Sequence, residues 1–188
     1  MTISLTDAKR YLRIPHSDDD AEINALIAAA TAKAESYLGT KLNSQTAVRK
    51  FDKFGDLSLP APLVSVNKVT YVDSDGVSQT LYDTTSSPQV SSDVFQVVGL
   101  YTSGMDVNYK PYITLDDGQA WPSTKTQAEA VTVTVTAGYA TVPENVKYAV
   151  LLLVNHLYEN REASITGVSV EELPMGFHEL LNVNRKWG

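Results

Sequence analysis

The run from Val142 to Glu162, VPENVKYAVLLLVNHLYENRE, most constrains how this chain can fold. Val146, Ala149, Val150, Leu153 and Leu157 recur at helical spacing. At about 100° per residue, Leu151, Val154 and Tyr158 widen that stripe to roughly 200° of the circumference. One packing partner cannot cover so wide an arc. Pro143 suits the first turn, where no N–H is needed, and Glu144 sets a negative charge near the positive end of the helix dipole. On the remaining polar side, among Asn145, Asn155 and Glu159, stand Tyr148 and Leu152. On the outer helix of a monomer both would be wet, so both are expected to face a neighbouring copy.

Two more helices precede this one. Ser4 and Asp7 have the spacing of a capping pair, and Leu5, Ala8 and Leu12 mark one face of a short helix that Pro15 keeps from continuing. HSDDDAEINALIAAATAKAESYLG then opens with Ser17 and three aspartates and places Ile23, Leu26, Ile27, Ala30, Ala34, Tyr37 and Leu38 on one stripe. Gly39 supplies a left-handed stop. The small residues Ala28, Ala29, Ala30, Ala32 and Ala34 predict close approach of the Val142 helix.

From about Gln45 the period changes from 3.6 to 2, and β-branched and aromatic residues dominate. Val64 to Val72 reads as a strand, the DSDG sequence at Asp73 to Gly76 as a tight turn, and Val77 to Leu81 as the return strand. Thr84 to Asp93 is a polar loop. Val94 to Val98, Tyr112 to Leu115 and Val131 to Thr136 supply further strands, and the clean alternation of VTVTVT predicts one buried face. Gly138 closes the module. Beyond the long helix, ASITGVSVEELP carries no periodicity, and Met175 to Asn182 predicts a last short helix with Phe177, Leu180 and Leu181 on one side. The expected fold is α+β: a small helical bundle, residues 1–44 and 139–188, with an inserted antiparallel β module, residues 45–138.

Composition narrows the function. A chain of 188 residues with a net charge of −7 lacks the clustered Lys and Arg that grip nucleic-acid phosphates. The absence of Cys excludes disulfides, thiolate zinc sites and Cys nucleophiles. MTISLTDAKRYL lacks the basic start and apolar run of a signal peptide. The longest apolar run, Ala149 to Val154, is far short of the roughly 20 residues that span a bilayer, so no membrane association is expected.

The chemistry-bearing residues have plainer readings. His16, His156 and His178 are scattered, and His156 with Glu159 gives H-x-x-E without the second His of a zincin. Asp18, Asp19 and Asp20 read as acids at a helix start rather than a cation site. Asp73 to Gly76 and Asp116 to Gly118 resemble pieces of a calcium loop but lack its distal Glu, so both read as turns. No nucleophile elbow, Walker loop or dinucleotide fingerprint is present. Asp116 and Asp117 near Trp121 are the one pair of acids in an aromatic setting, and they carry the enzyme reading. A binding-module alternative uses Trp121, Tyr109 and Tyr112 as a platform on which a carbohydrate or other ligand stacks. Arg185, Lys186 and Trp187 at the C-terminus suit docking to a protein, since Trp and Arg are enriched in interface hot spots.

The ordered set ISLTDAKRYLRI, DDDAEINALIAAATAKAESYLG, LPAPLVSVNKVTYVDSDG, VTVTVTAGYATVPENVKYAVLLLVNHLYENREA and LPMGFHELL resembles the head-tail connector (adaptor) proteins of long-tailed bacteriophages and prophages. The resemblance covers nearly the whole chain and is weakest from Gly99 to Pro111. It implies a helical bundle with an inserted β module, and a structural subunit with no catalytic residues, cofactor or metal. It also implies a location at the head-tail junction of the virion, after assembly in the host cytoplasm. Such subunits form a homo-oligomeric ring, commonly twelvefold, under the portal protein. The ring gives a platform for a stopper or tail-completion protein, and genomic DNA passes through it without specific binding. A net negative charge suits such a conduit, because a lumen that held phosphates tightly would stall the DNA. In this setting Tyr148 and Leu152 are expected at the subunit interface, and Arg185, Lys186 and Trp187 form a tail that docks into the portal or the next ring.

Overall fold

The computed structural model describes residues 3–101, 110–160 and 175–185. The chain divides into two compact units, Met1–Asn43 with Thr141–Gly188, and Ser44–Ala140.

The first unit is helical. Helix α1 (Leu5–Leu12) carries a complete capping box: the Ser4 hydroxyl accepts from the Asp7 N–H, and the Asp7 carboxylate accepts from the Ser4 N–H. Arg13 ends the helix in the left-handed region, φ 59°, two residues before Pro15. Helix α2 (Asp20–Leu38) runs to Gly39, whose φ of 67° provides the predicted stop. Helix α3 (Glu144–Glu159) buries Val146, Ala149, Val150, Leu153 and Val154, and helix α4 (Met175–Asn182) buries Phe177 and Leu181 completely. α3 packs on α1, α2 and α4, which is how its wide apolar arc is covered. The acids at the start of α2 serve as ties between helices. Asp20 pairs with Lys9 of α1 at 2.6 Å, and Asp19 accepts a 2.6 Å hydrogen bond from the Tyr158 hydroxyl of α3.

The alanines of α2 divide differently from expectation. Ala30 and Ala34 are fully buried, whereas Ala28, Ala29 and Ala32 are exposed. At about 100° per residue those three point away from the stripe that holds Ala30 and Ala34, so only part of the small-residue set meets a helix.

The second unit is built of antiparallel pairs. Strands β1 (Gln45–Phe51), β3 (Leu63–Val72), β4 (Ser78–Asp83) and β7 (Val131–Ala137) form one sheet in the order β1-β7-β3-β4. Strands β2 (Leu57–Ser58), β5 (Phe95–Val98) and β6 (Tyr112–Leu115) form a second, in the order β2-β6-β5. One core lies under both, with Val66 and Val69 of β3 and Val131, Val133 and Val135 of β7 meeting Leu57, Phe95 and Ile113 of the smaller sheet. β7 alternates buried Val with half-buried Thr, as its sequence requires.

β3 does not alternate. Leu63, Val66 and Val69 are its buried residues, at intervals of three. Its pairing with β7 shifts register between Leu63 and Ser65 and again between Val66 and Lys68, and each extra residue returns the next apolar side chain to the core face. Asn67, in the second shift, bonds to both of its flanks. Its carbonyl accepts from the Thr84 N–H at 2.9 Å, and its side-chain amide donates to the Thr136 hydroxyl at 2.8 Å. The DSDG hairpin forms as predicted. The Asp73 carboxylate accepts from the N–H groups of Asp75 and Val77, and Gly76 takes a φ of 84° that a side chain would strain.

Candidate functional site

Tyr148 projects from the α3 face between α1 and α4 and is 50% exposed. Its ring meets Tyr11 edge to face, 5.7 Å between centroids at 86°. Burial, and then the hydrogen bond to Tyr148, push the Tyr11 hydroxyl up to about 12, so that phenol stays protonated at physiological pH. The two rings stand in an open groove of about 930 Å³ with Ile3, Leu151 and Leu180, and Asp7, Arg10, Arg13, Glu144 and Lys147 complete its lining. An aromatic floor with charges of both signs around it has the make-up of a protein-binding surface. Nothing in it is arranged as a nucleophile with a base.

Leu152 differs from expectation. It is half-buried, because α4 lies across it: a Cβ added at Gly176 would come within 3.3 Å of the Leu152 Cδ2. The absence of a side chain at Gly176 lets the two helices approach there. Tyr148 is therefore the more exposed member of the pair, and the helical pattern concealed this because α4 lies far along the chain.

The C-terminal residues separate in the same way. The Arg185 guanidinium carbon sits 4.6 Å from the centre of the Tyr37 ring, so its cation is already engaged within the chain. Lys186 and Trp187 lie outside the described residues. Val183, one turn earlier, is 72% exposed.

The competing sites are taken up by packing. Trp121 is stacked on Phe54, 4.7 Å between centroids and 2° from parallel, and Phe54 meets Tyr71 in turn. Half-buried Trp121 thus packs into the β-unit core rather than forming an open platform. Tyr112 is half-buried on β6, and Tyr109 lies outside the described residues. Asp116 accepts from the Gln96 side chain and from the Asp117 N–H, while Asp117 is exposed on the turn. His16 lies 3.7 Å from Asp18, His156 touches Asn160, and His178 stacks on Tyr37. Among the described residues no group of three or more His, Cys, Asp or Glu is placed to hold a metal ion, and no helix is long and apolar enough to cross a membrane.

The sequence reading missed Asp83. Only 3% exposed, it pairs with the Lys68 ammonium at 2.9 Å and accepts from the Thr85 N–H at 2.8 Å, the Thr85 hydroxyl at 2.6 Å and the Ser86 N–H at 3.1 Å. Asp followed by Thr-Thr-Ser is an Asx-turn signal, and that signal was available. The bond from Lys68, then the one from Thr85, hold its carboxyl well below the usual range against the opposing effect of burial. A depressed folded value means that the unfolded chain binds the proton first. The stabilisation is therefore complete above the unfolded carboxylate value of about 4 and is lost as pH falls through the lower folded value. Asp83→Asn should lower the melting temperature of the β unit at neutral pH and flatten its fall below about pH 4. Melts followed by tryptophan fluorescence across that range check this, and an unchanged acid slope would speak against it.

The family model described as "HCP: Head completion protein" matches residues 1–171. A search of curated proteins gives no match. Among solved structures, the chain is similar to one described as "Neck of empty GTA particle computed with C6 symmetry", at TM-score 0.69 and 22% identity, covering 100% of this chain and 91% of the other. It is similar to one from "Virion of native gene transfer agent (GTA) particle", at TM-score 0.69 and 20% identity, with coverage of 100% and 91%. A third, "Neck of native GTA particle computed with C12 symmetry", aligns at TM-score 0.66 and 19% identity, with coverage of 98% and 88%. At these identities the likeness establishes a shared fold.

Proposed function

We propose, from the premise that this chain belongs to the head completion protein family, that it is a structural subunit of the head-tail junction of a phage-like particle. Copies close into a ring under the portal protein. The ring offers a platform to a stopper or tail-completion protein, and the genome passes through it. The two units divide this work, the helical one forming the ring body with the β unit carried as an inserted module. The observation that carries the reading is Tyr148, a large aromatic left half wet beside Tyr11 in a groove with an apolar floor. A head-to-tail contact that closes by rotation gives such a surface a partner on every copy. The similar structures come from necks computed with C6 and C12 symmetry, which supports a cyclic arrangement. A net charge of −7 supports a passage that does not retain DNA.

Electron microscopy of the purified chain, alone and mixed with the portal of its own particle, tests the reading. Closed rings seated on the portal are the expected image. A protein that stays monomeric and leaves the portal undecorated would refute it. The proposed docking tail is Arg185, Lys186 and Trp187, and removing residues 185–188 should leave the rings intact and abolish seating.

A further inference from the structure

The sheet β1-β7-β3-β4 ends in two open edges. Among the described residues β1 pairs only with β7, and β4 only with β3, apart from a bridge at the end of β4 where Asp83 and Val90 exchange N–H to carbonyl bonds at 2.9 Å. The outward main-chain groups of Gln45 to Phe51 and of Ser78 to Tyr82 are thus left without a neighbouring strand. Both edges are wet: Thr46, Val48, Arg49 and Lys50 are exposed on β1, and Ser78, Gln79 and Thr80 on β4. Val48 and, just ahead of β4, Val77 are each 54% exposed. Sheets guard such edges with charge or proline. β1 carries Arg49 and Lys50, the latter paired with Glu129 at 2.6 Å, but Ser78 to Tyr82 carries neither device.

We infer that β4 of one copy adds to β1 of the next, so that the sheet runs on from subunit to subunit. This rests on the cyclic assembly proposed above and adds to it a contact made by the β unit. Strand direction favours it. Four strands that alternate in direction leave their two edges antiparallel, so copies related by rotation, all with the same end up, bring β4 against β1 in the antiparallel sense. The two edges lie on opposite sides of one sheet, which makes the contact head-to-tail, as a ring requires. Register and charge agree with it. Lys50, Thr132, Thr70 and Thr80 form one row across the face opposite the core, and that row continued level sets Thr80 against Lys50 of the next copy. The same pairing lays the basic end of β1, with Arg49, Lys50 and the following Lys53, beside the turn that carries Asp73 and Asp75. Asp52, the acid within that basic stretch, accepts from the Glu129 N–H at 2.9 Å. Two β1 edges paired with each other would instead put the cations of both on one ribbon that holds no acid, and like charges on neighbouring strands repel.

The chain has no Cys, so introduced thiols report on this contact alone. Thr80→Cys is combined in turn with Val48→Cys, Lys50→Cys and Asp52→Cys, which samples the level register and a stagger of two residues either way. Within one chain β1 and β4 lie three strand spacings apart, about 14 Å, beyond the reach of a disulfide, so every bond joins two copies. The full-length chain, alone and seated on the portal, is oxidised and run on a denaturing gel without reductant. At least one pair should give a ladder of dimers, trimers and longer species, while each single variant runs as a monomer. Rings that yield no ladder with any pair would overturn the inference and leave the ring reading standing. Dimers from a single variant would show an edge joined to its own kind, which also overturns it. Neither rings nor ladder would sink the ring reading and this inference together. A second measurement needs no oxidation. Thr80→Lys sets like charges across from Lys50 and should raise the concentration at which rings form by about threefold to fivefold, whereas Thr80→Glu should lower it. An equal response to the two would count against the pairing. Thr80 is exposed, so both variants should fold as the wild type does, which circular dichroism checks.

Discussion

Phe177→Ala is expected to lower the stability of the helical unit by about 3–5 kcal/mol, a large part of the 5–15 kcal/mol typical of a whole domain. Phe177 is fully buried on α4 and lies 6.4 Å, ring centre to ring centre, from Tyr37. α4 has eight residues, too few to hold a helix alone in water, so it exists only by packing on α2 and α3. Truncating its main anchor therefore removes a transfer term and leaves a cavity, with little chance for so short a helix to collapse onto it. Denaturant unfolding followed by helical ellipticity measures the change. A loss under about 1 kcal/mol would mean that α4 contributes little to the unit.

Tyr148→Ser should act on assembly and spare the fold. With half of its surface exposed, Tyr148 buries less than a core ring, so its loss should lower the melting temperature of the dissociated subunit only modestly, through the Tyr11 contact, and leave it folded. If it is the interface anchor, its removal costs each contact about 2 kcal/mol or more, in the range of an aromatic hot spot, and shifts the concentration at which rings form by more than about tenfold. Sedimentation velocity over a dilution series reads this directly. Rings that persist to the same dilution as wild type would show that Tyr148 lies outside the interface. Leu152→Ser is the contrasting variant. It strips a side chain packed near Gly176, so its first effect falls on the seating of α4 rather than on the ring. Combining the two substitutions would confuse assembly with stability.

What could be read from the residues alone is what lies within a few positions along the chain. The Ser4–Asp7 capping box, the Gly39 stop, the span and buried face of α4, the DSDG hairpin and the alternation of β7 follow from periods and caps set by backbone geometry. The order of those patterns also carried the α+β class and the likeness to phage adaptors. The tertiary structure alone decided which of these surfaces were already occupied. Tyr158 reaches Asp19 across 139 positions and Tyr37 reaches Asn182 across 145, so no local pattern announces either pair. For the same reason Leu152 read as wet until α4 lay over it, and Arg185 read as a docking contact until Tyr37 stood beneath it. The register shifts in β3 break its alternation and bring Leu63 and Val66 to one face, and Asp83 was passed over until Lys68 came within reach. Periodicity states which side of an element is apolar; only the folded chain states what covers it, because burial is a relation between residues that the linear order leaves far apart.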